Sequence, residues 1–303
     1  MTSTNPISTH RLTKHFRHTE AVRALDLEVP QGSIFALIGP NGAGKTTTIK
    51  VLMNILRASL GEAEILGVNS RRLGPREFAR IGYVSENQEM PEWMTVKYFL
   101  WYLKPFYPTW DDELAAALVR EFELPPDRKL KHLSRGMRMK AALASSLAYR
   151  PELIVLDEPF TGLDALVRDE FTRTLLERCE GATLLISSHD LGEIENFASH
   201  VAYLDEGHLR FNEEMSVLSD RFRQVEVTLE APPVLPGAWP EGWMKPETAS
   251  AVVRFIDSHF DREWTEAEVN RVFPSARNVE FHAMSLREIF VALALAGRRA
   301  KAA

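Results

Sequence analysis

The eight residues Gly39-Pro40-Asn41-Gly42-Ala43-Gly44-Lys45-Thr46 limit the fold of this chain more than any other stretch. They follow a short apolar run, Ile34 to Ile38, and open a segment of helical character from Lys45 to Leu56. Gly-x-x-x-x-Gly-Lys-Ser/Thr between a buried strand and a helix is the pattern of a phosphate-holding loop. Its glycines let the backbone turn tightly, so that N–H groups point inward at phosphate oxygens. The helix N-terminus adds a favourable dipole. The pattern assigns phosphate contacts to Gly39, Asn41, Gly42, Gly44, Lys45, Thr46 and Thr47. Lys45 is expected to reach the β and γ phosphates, and the Thr46 hydroxyl to ligate Mg²⁺.

A second apolar run, Leu153 to Leu156, ends in Asp157 and Glu158. In open α/β sheets ligands bind outside the carboxyl ends of the strands, which is where these acids fall. An Asp-Glu pair after a strand is usually solvated charge. With a phosphate loop upstream, Asp157 suits the Mg²⁺ shell, and Glu158 suits a base or an acceptor that orients water.

The rest of the chain fits an α/β frame. Strands are expected within Ile7 to Val29, at Glu64 to Leu66, Ile81 to Val84 and Thr183 to Ile186, and as a hairpin of Val201–Leu204 with His208–Phe211. Helices are expected over Thr95 to Tyr107, Asp112 to Phe122, Ser134 to Tyr149 and Leu166 to Glu180, with Asp190 and Glu193 as a capping box opening another. This alternation argues for a largely parallel sheet. Beyond Glu213 the pattern changes. Val225 to Leu229 alternates like a strand, Ala231 to Pro246 has no clear period, Leu286 to Ala296 reads as a helix, and Arg298 to Ala303 as a frayed tail.

Charge and cysteine content narrow the function classes. A formal charge of −6 removes the usual electrostatic driver for nucleic-acid binding, so no nucleic-acid partner is expected. The single cysteine, Cys179, forms no internal disulfide, which fits a reducing compartment. Met1 to His15 is polar and lacks an apolar signal core. No run reaches the ~18 apolar residues of a membrane-crossing helix. Work at a membrane would need spans from another chain.

Leu133-Ser134-Arg135-Gly136-Met137, shortly before the acidic strand, resembles the Leu-Ser-Gly-Gly-Gln signature of the ABC ATPases. Leu133, Ser134 and Gly136 match; Arg135 and Met137 depart. The resemblance covers about Ile7 to Phe211. It implies an α/β fold of the ABC-type phosphate-loop ATPase over residues 1–213, with a mixed sheet and a helical subdomain at about 88–149. Residues 214–303 are expected to form a small α+β extension.

The resemblance also implies roles. Ser134 and Gly136 would close on the γ-phosphate bound to an opposite subunit, and Phe16 would stack on adenine. Thr161-Gly162-Leu163-Asp164 matches the family's loop after the acidic strand, and His189 its γ-phosphate histidine. Lys45, Glu158 and His189 become the catalytic set, and Thr46, Asp157 and Glu86 the Mg²⁺ ligands. The family places Gln where Glu86 stands, with Gln88 close behind, so either could serve. Of the eight rings between Trp93 and Trp110, most are expected in the core and a few at an interface with a membrane subunit. Ser285 to Phe290 is similar to the tails of bacterial exporter ATPases.

The implied protein binds ATP and Mg²⁺ and hydrolyses ATP. It dimerises with itself or a related ATPase subunit. It couples dimer closure to transport, read as export from that tail, through polytopic permease subunits on a separate chain at the cytoplasmic face of the membrane. Soluble ABC ATPases acting on ribosomes or DNA usually carry two ATPase units or long coiled coils; here there is one unit and no sustained heptads. A binding module with a dead site would not need Lys45, Asp157, Glu158 and His189 together.

Overall fold

A computed structural model describes residues 5–233 and 235–293. The chain packs as two units that divide between Asn212 and Glu213. The first opens with β1 (Ile7–Phe16), β2 (Thr19–Val29), β3 (Ile34–Ile38), α1 (Lys45–Leu52), β4 (Leu60–Ile65), β5 (Val68–Asn69), α2 (Pro75–Phe78) and β6 (Ile81–Ser85). It continues with α3 (Val96–Leu103), α4 (Asp112–Glu121), α5 (Arg135–Leu147), β7 (Leu153–Asp157), α6 (Ala165–Arg178), β8 (Thr183–Ser188), β9 (His200–Asp205) and β10 (His208–Glu214).

Two sheets share this unit. One has the order β2-β1-β4-β5 and the other β10-β9-β3-β8-β7-β6. Strands β6, β7, β8, β3 and β9 run parallel, whereas β1 pairs antiparallel with β2 and β4. Every residue of β7 and β8 is buried, as strands covered on both faces require. Their register decides where the chemistry falls. Ser85 pairs Asp157, Asp157 pairs Ser187, and Ser188 pairs Ile38. The ends of four neighbouring strands therefore deliver Glu86, Glu158, His189 and Gly39 to one edge of the sheet.

Between Gln88 and Tyr149 the regular elements are helical. Each of the three α-helices is started by a side-chain cap: Thr95 Oγ1 accepts from Tyr98 N–H, Asp111 Oδ1 from Leu114 N–H, and Ser134 Oγ from Met137 N–H. Such caps are worth about 1 kcal/mol each. The helix expected over 95–107 is cut at Leu103, followed by a 3₁₀ turn over Lys104–Phe106, because Pro105 has no N–H for the ladder. Only Phe99 of the eight rings is fully buried, and Trp93, Trp101 and Phe106 are more than 60% exposed. The expectation that most are core is corrected: α3 turns Val96, Phe99 and Leu100 inward, and the outer rings contact one another, Tyr98 to Trp101 at 5.3 Å.

Two further expectations are corrected. Helix α1 ends at Leu52, not Leu56; Asn54 adopts a left-handed φ of 55°, and the N–H groups of Ile55 and Leu56 both return to the Lys50 carbonyl. Asp190 and Glu193 do not open a helix. Only a 3₁₀ turn forms at Leu191–Glu193, since Asp190 Oδ1 accepts from Gly192 N–H and Glu193 is taken by Ser188 Oγ and Arg168.

The second unit contains α7 (Met215–Arg221), β11 (Arg223–Leu229), β12 (Trp243–Ala249), β13 (Val252–Asp257), α8 (Arg262–Val272) and β14 (Ala276–Ala283), then a helix over 286–293. Its sheet is antiparallel, in the order β12-β13-β11-β14. Val225, Val227, Val253, Phe255, Val269 and Phe273 share one core. The segment expected to lack a period, 231–246, turns into strand at Trp243. The end of the expected helix at Ala296 and the tail from Arg298 lie outside the described residues. Among those residues no helix is long and apolar enough to cross a membrane.

Candidate active site

The loop after β3 is shaped by close backbone approach. A Cβ on Gly39 would sit 2.0 Å from the Leu204 carbonyl oxygen. At Gly44 it would sit 2.3 Å from that of Ala21, and Gly44 has φ 106°. No L side chain fits either place without moving backbone. Gly44 offers α1 no side-chain cap, and the first turn holds no acid. The positive end of the helix is thus left to an anion. Lys45, 5% exposed, donates from Nζ to the carbonyls of Gly39 (2.7 Å) and Pro40 (3.2 Å) and lies 3.1 Å from Glu158 Oε1.

The acids at the end of β7 have different surroundings. Asp157 Oδ1 accepts from Thr46 Oγ1 at 3.0 Å and from Ser187 Oγ at 2.7 Å. Burial pushes the Asp157 carboxyl up; the hydrogen bonds from Ser187 and Thr46 only partly offset this. Glu158 stands in the left-handed region at φ 53°, a costly conformation for this residue type. Its N–H is fixed by Ser187 Oγ at 2.9 Å. Its Oε2 lies 2.7 Å from His189 Nδ1 and accepts from Thr161 Oγ1 at 3.3 Å. Burial would raise this carboxyl, yet the bond to His189 and the charge of Lys45 prevail and hold it below the usual range. Two adjacent carboxylates are driven apart, which is how one site separates its roles.

A cavity of about 460 Å³ opens here. It is lined by Asn41, Gly42, Gly44, Lys45, Thr46, Thr47, Glu86, Glu158 and His189, all given roles in the sequence, by Ala43 and Thr161, which stand in the motifs without a role, and by Ala21, which does not. Gly39 joins through Lys45, and Asp157 through Thr46. Phe16, Ser134 and Gly136 are not in this lining. Phe16 is 42% exposed at the β1–β2 turn, so it is no core residue. Gln88 lines a neighbouring cavity of about 610 Å³; of the two alternatives, only Glu86 borders the phosphate loop. Among the described residues no three His, Cys, Asp or Glu gather to hold a metal unaided. The adjoining Thr46 hydroxyl and Asp157 carboxylate nevertheless fit Mg²⁺, which commonly takes one or two carboxylates plus substrate phosphates.

Ser187, which clamps both acids, carries no motif of its own. Its signal was its register, one position past the apolar run of β8 beside Asp157. Ala21 had no signal of its own, and Thr161 was visible only as the first residue of the loop after the acidic strand.

Residues 22–161 match the ABC transporter family. The daunorubicin/doxorubicin resistance ATP-binding protein DrrA of Streptomyces peucetius is 30% identical over 307 residues, covering 96% of this chain and 92% of that protein. The bacitracin transport ATP-binding protein BcrA of Enterococcus faecalis is 30% identical over 222 residues, 72% of each. The solved ATP-binding subunit of an ABC transporter aligns with TM-score 0.64 and 25% identity, covering 71% of this chain and 92% of that one. A bacterial ABC transporter cassette solved as a dimer shares the fold, with TM-score 0.62, 21% identity and coverage of 69% and 98%. With this fold, this loop and these relatives, the chain belongs to the ATP-binding subunits of ABC transporters and is an ATPase of that family.

Proposed function

We propose that the chain powers export of a small molecule through polytopic permease subunits on separate chains, at the cytoplasmic face of the membrane and without a nucleic-acid partner. The observation that supports this best is the division of the site residues. Lys45 and Glu158 are buried and, with the more exposed His189, form one ion-paired cluster, while Ser134 and Gly136 lie outside its cavity. A catalytic half and a separate capping half suit a head-to-tail dimer, with itself or a related subunit, in which ATP lies between Lys45 of one copy and Ser134 of the other. The solved relative that forms a dimer is in keeping with this. Export is supported by the resistance and transport relatives named above. Residues 214–303 act as an accessory domain.

In the proposed cycle, Gly39, Asn41, Gly42, Gly44 and Thr47 present backbone N–H groups to the phosphates, and Phe16 stacks on adenine. Thr46, Asp157 and Glu86 hold Mg²⁺, which when bound neutralises phosphate charge. Lys45 exchanges the Gly39 and Pro40 carbonyls and Glu158 for phosphate oxygens. That exchange releases Glu158 Oε1 to accept from a water. Glu158 is ionised at neutral pH, so it orients that water as an acceptor. His189, 2.7 Å from Oε2, fixes the carboxylate and faces the γ-phosphate. Loss of that phosphate removes the contacts that keep Ser134 and Gly136 of the partner closed, and the dimer opens.

The test is a pull-down of tagged Glu158→Gln protein with ATP from detergent-solubilised host membranes, read by mass spectrometry. A polytopic membrane protein retained only with ATP is expected. Ribosomal proteins or DNA, with no membrane partner, would overturn the transport reading.

A further inference from the structure

Arg135 Nη2 is ion-paired with Glu86 Oε1, although 49 positions separate them in sequence. Each stands at a place where the chain departs from the pattern it otherwise resembles. Glu86 is fixed at its backbone, its N–H donating to the Asp157 carbonyl at 3.0 Å. It is the residue shared by the phosphate-loop cavity and the neighbouring one beside Leu133 and Arg138. Arg135 also lies over the turn after Glu158. A Cβ on Gly162, which has φ 71°, would sit 2.8 Å from Arg135 Nη1. One guanidinium thus touches both the segment after β6 and the turn that supplies Thr161 to Glu158.

Locally, Arg135 is misplaced. It is the first residue of α5, where the helix dipole is positive and disfavours a cation. No acid in the first turn offsets it. A residue that breaks a local rule without local compensation points to a functional site, and here the compensation comes from Glu86 across the fold. We propose that Arg135 is a positioning residue that withholds the Glu86 carboxylate from the nucleotide's divalent cation, the two side chains forming an ionic latch between the phosphate site and the N-terminus of α5. One carboxylate does not serve a guanidinium and a cation at full strength together. Nucleotide binding therefore trades the latch for the cation, and α5 and the Gly162 turn are released by the same event. The inference rests on reading Glu86 as a cation ligand.

Calorimetric titration of ADP into the full chain, with Mg²⁺ and separately with EDTA, tests it. The variants are Arg135→Ala, Arg135→Lys, Glu86→Gln and the double variant Arg135→Ala/Glu86→Gln. Arg135→Ala is expected to tighten MgADP binding about two- to fivefold, the scale of a half-exposed ion pair, and to leave ADP binding in EDTA unchanged. Arg135→Lys retains most of the wild-type value, and Arg135→Ala has no effect in the Glu86→Gln background. An equal effect in both backgrounds, or with EDTA, overturns the latch alone. If Glu86→Gln leaves the Mg²⁺ dependence of ADP binding unaltered, Glu86 is no cation ligand, and both that reading and the latch fall.

Discussion

Helices α1 and α5 begin alike and are used in opposite ways. Each follows a loop, each opens on a cation, and each cation is paired with a carboxylate: Lys45 with Glu158, Arg135 with Glu86. Lys45 is buried to 5% exposure, its ammonium shared among two carbonyls and a buried acid. The Arg135 side chain is 49% exposed and its partner 29%. Breaking a buried pair strands a charge and costs several kcal/mol, whereas an exposed pair is worth about 1 kcal/mol or less. The α1 end is therefore fixed by its own chain, and the α5 end is left adjustable, in keeping with the dimer face proposed above.

The sharpest way to break this comparison is at the buried end. Glu158→Gln keeps the shape and removes the charge that Lys45 and His189 both face. ATP turnover should fall about 10²- to 10⁴-fold, the usual weight of a positioned base, with ATP binding retained. A phosphate-release assay checks it, and turnover within a few-fold of wild type would remove Glu158 from the chemistry.

Glycine to alanine at the two helix starts gives the next largest contrast. At Gly44 the new Cβ meets the Ala21 carbonyl at 2.3 Å with φ at 106°, so a loss of about 1–3 kcal/mol is expected. At Gly136, inside α5, the nearest atom is Val167 Cγ1 at 3.1 Å. That side chain can turn aside, and alanine gains about 1 kcal/mol of helix propensity, so the net change should stay within ~1 kcal/mol. Urea unfolding of both variants decides. Ser134→Ala belongs beside them: losing the cap that Met137 N–H uses should cost about 1 kcal/mol and leave MgADP affinity of a single chain unchanged. Weakened ADP binding there would place Ser134 in its own chain's site.

The parts of the molecule that were legible in the sequence are those where local pattern and tertiary role coincide. Gly39 to Thr46 announced itself because a phosphate cradle needs glycines at fixed spacing. Strands β7 and β8 did so because burial on both faces demands an unbroken apolar run. Lys45, Asp157, Glu158 and His189 followed, since a strand's end fixes where the next residue goes. In the second unit β11 was visible by its alternation, but α8 was not. Only Thr265 and Val269 of its eleven residues are fully buried, too thin a stripe to show a period. Strand β14 was missed for a related reason, as none of its residues is fully buried. The Arg135–Glu86 pair had no signature at all, because a contact spanning 49 positions is made by the register of β6 and the start of α5.

The last contrast lies within the buried cluster and separates its two acids by sign. In the Glu158 carboxyl the fold favours the ionised form, despite burial, through His189 and Lys45. Its contribution is whole above the unfolded pKa, about 4.3, fades as pH falls through that value, and is gone below the lower folded one. Asp157 is shifted the other way, chiefly by burial. Its charged form is a burden near neutrality, and relief begins as pH falls through the raised folded pKa and is complete below the unfolded one. Urea midpoints of metal-free protein should therefore diverge. Glu158→Gln should be less stable than wild type at pH 7 and converge with it in acid. Asp157→Asn, which keeps an acceptor for Thr46 and Ser187, should be the more stable at pH 7 and lose that advantage in acid. Parallel curves for the two variants would mean that the acids share one environment, and the division of roles between cation ligand and water acceptor would lose its physical basis.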